Sequence, residues 1–293
     1  MSTNKVENIL VTGGNGQLGS EIKEVSKSYS KWNFFFHDAN TLDITNKKVL
    51  EDFIKQNKIS TLINCAAYTN VDEAESEITI SNAVNHLAVQ NIAEISKENN
   101  IKLVHISTDY VFKGNAHRPY SEEDSTNPVN AYGLSKLQGE QVMRRINPER
   151  SIIIRTSWVY SEYGHNFVKT MRRLFQSRES LRVVFDQIGT PTYAKDLAEV
   201  ILAILPQINN KDVEVYHYSN EGVISWFDFA KAILEIEGFQ CDIHPIRTEQ
   251  YPTKAARPRY SVLDKSKIKE HFDIQIPYWR TSLELALSNM KED

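Results

Sequence analysis

Three side chains in this sequence could do acid–base chemistry together: Thr108, Tyr132 and Lys136. Tyr132 and Lys136 stand four residues apart in Tyr132-Gly133-Leu134-Ser135-Lys136, so on a helix they share one face. A free phenol titrates at about 10 and is a poor proton donor or acceptor at neutral pH. A nearby ammonium stabilises the phenolate and draws its pKa toward the working range. Thr108 follows the apolar run Leu103 to Ile106, so its hydroxyl stands at the C-terminal edge of a predicted strand. That edge is where open α/β sheets bind ligands. A carbonyl oxygen held there would be oriented by Thr108 and protonated by Tyr132 as hydride arrives at carbon. The developing oxyanion would meet two hydroxyl donors. Alone, YxxxK reads as a surface tyrosine beside a solvated lysine; its place downstream of a glycine loop favours catalysis.

That loop is Gly13-Gly14-Asn15-Gly16-Gln17-Leu18-Gly19, with Gly13, Gly16 and Gly19 spaced as GxxGxxG. The apolar run Asn8 to Thr12 precedes it as a strand. Gln17 to Ser28 follows as a helix, with Leu18, Ile22 and Val25 on one face. Strand, glycine turn and helix is the setting a dinucleotide fingerprint requires. Gly13 would make the tight turn, Gly16 would admit a pyrophosphate, and Gly19 would let helix and strand pack closely. The helix N-terminus favours the anion. The next strand, Phe34 to Phe36, runs into Asp38, 19 residues after Gly19. A carboxylate at that distance suits the adenosine ribose and would repel a ribose phosphate, which favours NADH over NADPH. The competing reading of Asp38 is a turn cap.

Around these residues strand and helix alternate. Leu62 to Cys65, Leu103 to Ile106 and Ile152 to Ile154 are continuous apolar strands, as in a sheet buried on both faces. Lys47–Asn57, Ile78–Asn99 and Val129–Ile146 read as the helices between them. The rhythm predicts an α/β, Rossmann-type doubly wound parallel sheet with a smaller C-terminal substrate lobe. The boundaries expected are 1–156 for the nucleotide domain, with parts of 185–220 returning to it, and 157–184 with 221–293 for the lobe. After Trp158 the reading gives helices at Asn166–Gln176, Tyr193–Leu205 and Trp226–Glu237. Strands are expected at Leu181–Phe185 and Val213–Tyr218, and a proline-bearing tail from Pro245 to Pro258.

Composition excludes several classes. The chain has 293 residues, 41% hydrophobic and 25% charged, ordinary values for a globular protein. A net charge of -4 points away from nucleic acid and anionic membranes as partners. Two cysteines, Cys65 and Cys241, make no disulfide framework, and eight scattered histidines make no zinc site. The start MSTNKVEN has no apolar signal region, and no run approaches the ~20 residues of a membrane span. A cytoplasmic location is expected.

The order GxxGxxG, Ser107-Thr108-Asp109, YxxxK resembles the extended short-chain dehydrogenases/reductases. Longer stretches narrow the resemblance: Asn15 to Gly19, Leu42 to Thr45, Asn64 to Thr69 running into Val71 to Glu75, Ser107 to Phe112, Arg155 to Tyr160, and Arg257-Pro258 before Ser261 to Asp264. From about Ile9 to Leu287 the sequence is similar to the dTDP-4-dehydrorhamnose reductase family. The resemblance implies NAD(P)H-dependent reduction of a 4-keto group in a nucleotide deoxysugar, the last step of dTDP-rhamnose synthesis.

It also implies residue roles. Gly13, Asn15, Gly16, Gln17, Leu18 and Gly19 would form the cofactor loop, with Gly16, Gln17 and Leu18 on the pyrophosphate. Asp38 would face the adenosine ribose, and Asp43 and Ile44 the adenine. Ala67, Tyr68 and Thr69 would line the middle of the groove. Thr108, Tyr132 and Lys136 match the catalytic trio, with Tyr132 the proton donor and Lys136 on the nicotinamide ribose. Asp109 and Trp158 would embrace the deoxysugar, with Tyr110 in the same pocket. Asn166, Phe167 and Arg257 would approach the nucleotide diphosphate. Some members dimerise around magnesium held by glutamates. Glu21 matches one such position, but the partner position is Lys195, which cannot ligate a cation while charged. A monomer or a metal-free homodimer is therefore expected, with Glu21 an exposed helix residue. Two alternatives stand beside this reading: a reductase or epimerase for another nucleotide deoxysugar, and a non-catalytic NAD(P)-binding regulatory subunit.

Overall fold

A computed structural model describes residues 7–290 of the chain. The first six residues, on which the reading of the amino-terminal end partly rests, lie outside that range. The chain runs β1 (Glu7–Thr12), α1 (Gln17–Ser26), β2 (Trp32–His37), α2 (Lys47–Gln56), β3 (Thr61–Asn64), and two short helices, α3 (Val71–Ala74) and α4 (Ile78–Asn82). A π turn (Ala83–Leu87) leads into α5 (Ala88–Glu98), β4 (Lys102–Thr108), α6 (Ala131–Ile146) and β5 (Ser151–Thr156). Then come β6 (Val159–Tyr160), α7 (Phe167–Ser177), β7 (Ser180–Val184), β8 (Ile188–Gly189), β9 (Thr192–Tyr193), α8 (Ala194–Ile204) and β10 (Glu214–His217). The rest is β11 (Ile224–Ser225), α9 (Trp226–Glu237), β12 (Asp242–Ile246), α10 (Ser266–Phe272) and α11 (Trp279–Asn289).

Six strands form one parallel sheet in the order β10-β5-β4-β3-β1-β2. Alternation along each strand feeds two cores. Ile9, Val11, Ile63, Val104, Ile152 and Ile154 join α1 and α8 on one face. Leu10, Leu62, Leu103 and Ile153 join α2, α5 and α6 on the other. Both faces are therefore dry, which is why these strands read as unbroken apolar runs. The predicted doubly wound sheet is the observed one.

A separate core lies under the lobe, where α7, α9 and α11 bring together Val168, Phe175, Phe229, Ile233, Leu283 and Leu287. The chain crosses between the two regions repeatedly. Residues 194–217 return to the sheet through α8 and β10, and so does α10, whose Ile268 and Phe272 enter the core beneath α1 and α8. The expected boundaries put 221–293 wholly in the lobe; the apolar face of α10 packs against the sheet domain instead.

The expected continuous helix over 78–99 is interrupted. In the π turn, Asn85 Oδ1 accepts from the Tyr68 amide and Asn85 Nδ2 donates to the Tyr68 carbonyl, each at 2.9 Å. The widened turn frees Asn85 to clamp the segment after β3. No described helix is long and apolar enough to cross a membrane.

Candidate active site

Register brings the site residues together. Thr12, at the end of β1, pairs with His37 of β2 and Asn64 of β3, so the glycine loop emerges between two strand ends. This is the switch point of the strand order, where open α/β sheets bind ligands. Gly13 has φ +67°, and a Cβ there would meet Ala66 N at 2.7 Å and Cys65 C at 2.8 Å. At Gly19 a Cβ would lie 2.3 Å from Gly13 O, so the helix could not seat on the loop. Gly16 is the N-cap of α1, no side chain caps that end, and no acidic residue stands in its first turn. Backbone N–H groups at a positive helix end that no side chain caps suit a pyrophosphate. The chain thus fits a dinucleotide at this loop.

Asp38 lies beside the loop. Its Oδ1 accepts from the Asn40 and Thr41 amides at 3.0 and 3.1 Å, and Asn15 Nδ2 donates to Oδ2. Slight burial acts to raise its pKa, but hydrogen bonds from Thr41 and Asn15 hold it below the ordinary carboxylate value. Asp38 therefore caps a turn, as the competing sequence reading has it, and also touches the glycine loop through Asn15. Asp43 caps the next turn through Thr45, at 2.9 Å to its amide. Ile44, expected at the adenine, is buried in the core with Leu42 and Leu50. After β3, Ala67 and Tyr68 are half-buried and Thr69 is exposed. Tyr68 Oη donates to Glu77 at 2.7 Å.

Thr108 pairs in register with Thr156, the last residue of β5. Thr108 and Tyr132 are 6% and 9% exposed, and their hydroxyls are hydrogen-bonded. Asn130 caps α6 by accepting from the Gly133 amide at 2.8 Å, which sets Tyr132 in the first turn. Gly133 has to be a glycine, since a Cβ there would lie 2.3 Å from Tyr110 O. Burial raises Tyr132 to about 12; the Thr108 hydroxyl lowers it and Asp109 raises it. Lys136 is also buried, and its Nζ donates to Ile106 O at 2.7 Å. Burial lowers its pKa to about 8, while Glu140 and Cys65 act to raise it. The expected lowering of the phenol by Lys136 is thus not realised. The ammonium is turned to the Ile106 carbonyl, and burial dominates both groups.

Asp109 is 2% exposed. Its Oδ1 accepts from Thr108 Oγ1 at 2.9 Å, and Oδ2 has no full hydrogen bond among the described residues. Burial raises the carboxyl to about 6, with Ser261 and Thr108 holding it down. Tyr110 meets the Tyr132 ring edge-on at 5.6 Å. Trp158 lies two residues beyond Thr156 and stacks on Trp226 with centroids 3.6 Å apart. These residues converge on the mouth of β4 and β5.

The three residues expected at the diphosphate divide. Asn166 caps α7 and donates from Nδ2 to Gln17 Oε1 at 3.0 Å, tying the lobe to the glycine-loop helix. Phe167 stacks on Phe229 and leans on Trp226. Arg257 instead pairs with Asp72 at 2.7 Å, leaving Nη1 buried without a hydrogen-bond partner among the described residues. Sequence reasoning gave no role to Gly189 and Trp226, which lie outside the motifs along the chain, nor to Asp72 and Ser261, which lie inside them but meet their partners only in space. Asp72 stood inside a quoted motif, but nothing local pairs it with Arg257.

Glu21 also departs from expectation: it is 2% exposed and accepts from Ser161 Oγ at 2.7 Å. Burial, then contact with Glu162, pushes its carboxyl up to about 8. α1 lies against the segment after β6 and covers it. No group of three or more metal-ligating side chains occurs among the described residues.

Comparison with known proteins agrees with this geometry. The family described as RmlD substrate binding domain matches residues 7–292. A dTDP-4-dehydrorhamnose reductase of Aggregatibacter actinomycetemcomitans is 41% identical over 94% of this chain and 96% of its own length. A dTDP-4-keto-6-deoxy-D-glucose reductase of Streptomyces niveus is 34% identical over 97% of this chain and 98% of its own. The crystal structure of dTDP-4-dehydrorhamnose reductase from Bacillus anthracis in complex with NADP superposes with a TM-score of 0.92. It shows 38% identity over 97% of this chain and 99% of that one. The chain belongs to the dTDP-4-dehydrorhamnose reductase family.

Proposed function

We propose that this protein reduces the 4-keto group of dTDP-4-dehydro-L-rhamnose to give dTDP-L-rhamnose, with NADH or NADPH as reductant. The observation that carries the reading is the pair of buried, mutually bonded hydroxyls, Thr108 and Tyr132, at the C-terminal edge of β4 in a chain of this family. When bound, the dihydronicotinamide supplies a hydride to the keto carbon. Tyr132 is fully protonated at neutral pH, because burial holds its pKa near about 12. It therefore donates its proton to the carbonyl oxygen, and the alcohol forms as carbon is reduced. Thr108 donates to the same oxygen and fixes its direction. Lys136, charged below about 8 and one turn along α6 from Tyr132, would hold the nicotinamide ribose hydroxyls. Asp109 Oδ2, buried and short of a partner, accepts from a sugar hydroxyl. Trp158 walls the deoxysugar, and Arg257, held by Asp72 through Nη2, would offer its other guanidinium nitrogen to the diphosphate.

At the cofactor loop, Gly16, Gln17 and Leu18 would hold the pyrophosphate. Asp38 would favour an unphosphorylated ribose, which supports NADH over NADPH. Glu21 is occupied by Ser161, and Lys195 is close enough to act on its charge, which supports a monomer or metal-free homodimer. The Streptomyces niveus relative favours one second reading, reduction of a different dTDP-4-keto-6-deoxysugar. The test is Tyr132→Phe. Turnover falls by about 10²- to 10⁴-fold while cofactor affinity holds. Wild-type turnover in that variant removes Tyr132 as proton donor.

A further inference from the structure

Trp158 carries an unusual backbone: φ is 47°, a left-handed conformation that a bulky side chain rarely adopts. Such a conformation persists only where neighbours over-determine it. Here four contacts do so. The Trp158 carbonyl accepts from the Thr192 amide at 3.2 Å, and Ser157 Oγ donates to Thr190 O at 2.7 Å, so the main chain is pinned on both sides of the bend. The indole is fixed separately. It stacks on Trp226 at 3.6 Å with planes 10° apart, and it lies so close to Gly189 that a Cβ there would sit 2.7 Å from Cε2 and Cζ2.

Gly189 and Trp226 belong to one small unit. β8 and β11 pair antiparallel, with Ile224 opposite Gly189 and Ser225 opposite Ile188. Trp226 is the residue after β11 and the first of α9. A reciprocal capping box holds it there: the Asp228 amide donates to Ser225 Oγ at 3.1 Å, and the Ser225 amide donates to Asp228 Oδ2 at 2.9 Å. Phe167 leans on Trp226 at 4.6 Å and Phe229 at 6.4 Å, which limits rotation of its ring. Thr156, two residues before Trp158, is the register partner of Thr108. The clamped indole therefore follows the strand end that lies in register with Thr108.

We propose that Trp226 is a positioning residue: stacked on Trp158, it fixes the indole in the left-handed bend so that its free edge faces the sugar. The inference rests on the reading of Trp158 as a wall of the sugar pocket. Trp226 touches Trp158 and the lobe core and need not touch the substrate. A lost stack would leave the bend pinned but the indole free to swing, so the cost falls on sugar binding and not on the chemical step.

The experiment compares Trp226→Ala, Trp226→Phe and Trp158→Ala as full-length enzymes. Steady-state kinetics, cofactor titration and circular dichroism are the readouts. The stacked indoles give an exciton couplet that reports the stack independently of activity. Trp226→Ala loses the couplet and raises KM for the sugar nucleotide roughly tenfold, with kcat and cofactor Kd within about twofold of wild type. Trp226→Phe, which keeps an aromatic face, restores KM to within about threefold. If the alanine variant does not fold, Trp226→Leu keeps apolar volume without a ring face and carries the same comparison. A wild-type KM in a folded variant that has lost the couplet overturns the proposal. The two levels separate cleanly. If Trp158→Ala leaves KM unchanged, the sugar-wall reading itself fails. If Trp158→Ala raises KM and Trp226→Ala does not, only the positioning role fails.

Discussion

Glu140 lies one turn beyond Lys136 on α6 and is 1% exposed. Its carboxylate grips Arg155 of β5, 2.6 Å from Nη2 and 3.0 Å from Nε, and accepts from Ser107 Oγ of β4. One side chain thus joins the catalytic helix to the two strands whose ends carry Thr108 and Trp158. Glu140→Gln keeps the shape and removes the charge. Arg155 is then a buried guanidinium without its counter-charge, left with the neutral amide, the Phe112 ring at 5.1 Å and His217 Nε2 at 3.4 Å. Breaking a buried pair from one side costs about 3–5 kcal/mol. For a chain of this size each kcal/mol lowers Tm by roughly 2 °C, so Tm should fall by about 6–10 °C. Removing both partners, as Glu140→Leu with Arg155→Met, deletes the buried charge and should recover most of that loss. Calorimetry at neutral pH with saturating cofactor, and again without it, reads both. The reasoning is refuted if Glu140→Gln melts within about 2 °C of wild type. It is refuted equally if the double variant is no more stable than the single one.

Further predictions concern charge. Lys136 sits near about 8 in the folded chain, so kcat/KM should fall as pH rises through that value, and Lys136→Met should lack this limb. Because the folded pKa lies below the unfolded 10.5, the unfolded chain binds more protons between the two values, so this residue's contribution to stability grows with pH across that window. Proton counting by urea titration at successive pH values checks the sign; a contribution falling with pH contradicts it. Asp38→Ala should shift the ratio of catalytic efficiencies toward NADPH, and an unchanged ratio would take Asp38 out of the ribose site.

Much of this architecture was legible in the sequence because its causes are local. A strand buried on both faces has to be continuously apolar, and Leu62–Cys65 and Ile152–Ile154 declared themselves that way. The glycines of the loop are demanded by backbone contacts, at Gly19 from within the loop itself, though at Gly13 from Cys65 and Ala66 after the neighbouring strand. The hydroxyl pair was legible too, since Thr108 ends a strand and Tyr132 starts a capped helix. What stayed hidden depends on distance along the chain. β8 and β11 are two-residue strands defined by pairing with distant segments, so no periodicity marks them. The left-handed bend at Trp158 carries no glycine to announce it. Glu21 looked like an exposed helix residue because its cover, Ser161, lies 140 positions away. The depressed phenol expected from YxxxK failed for a similar reason: spacing places Lys136 near Tyr132, but the Ile106 carbonyl decides where its Nζ points.

The most direct test of the central claim is nicotinamide absorbance with the purified protein, NADH or NADPH, and dTDP-4-dehydro-L-rhamnose generated in situ. The account predicts cofactor oxidation that requires the sugar nucleotide and yields dTDP-L-rhamnose. Measurable cofactor binding without oxidation of either cofactor would contradict it.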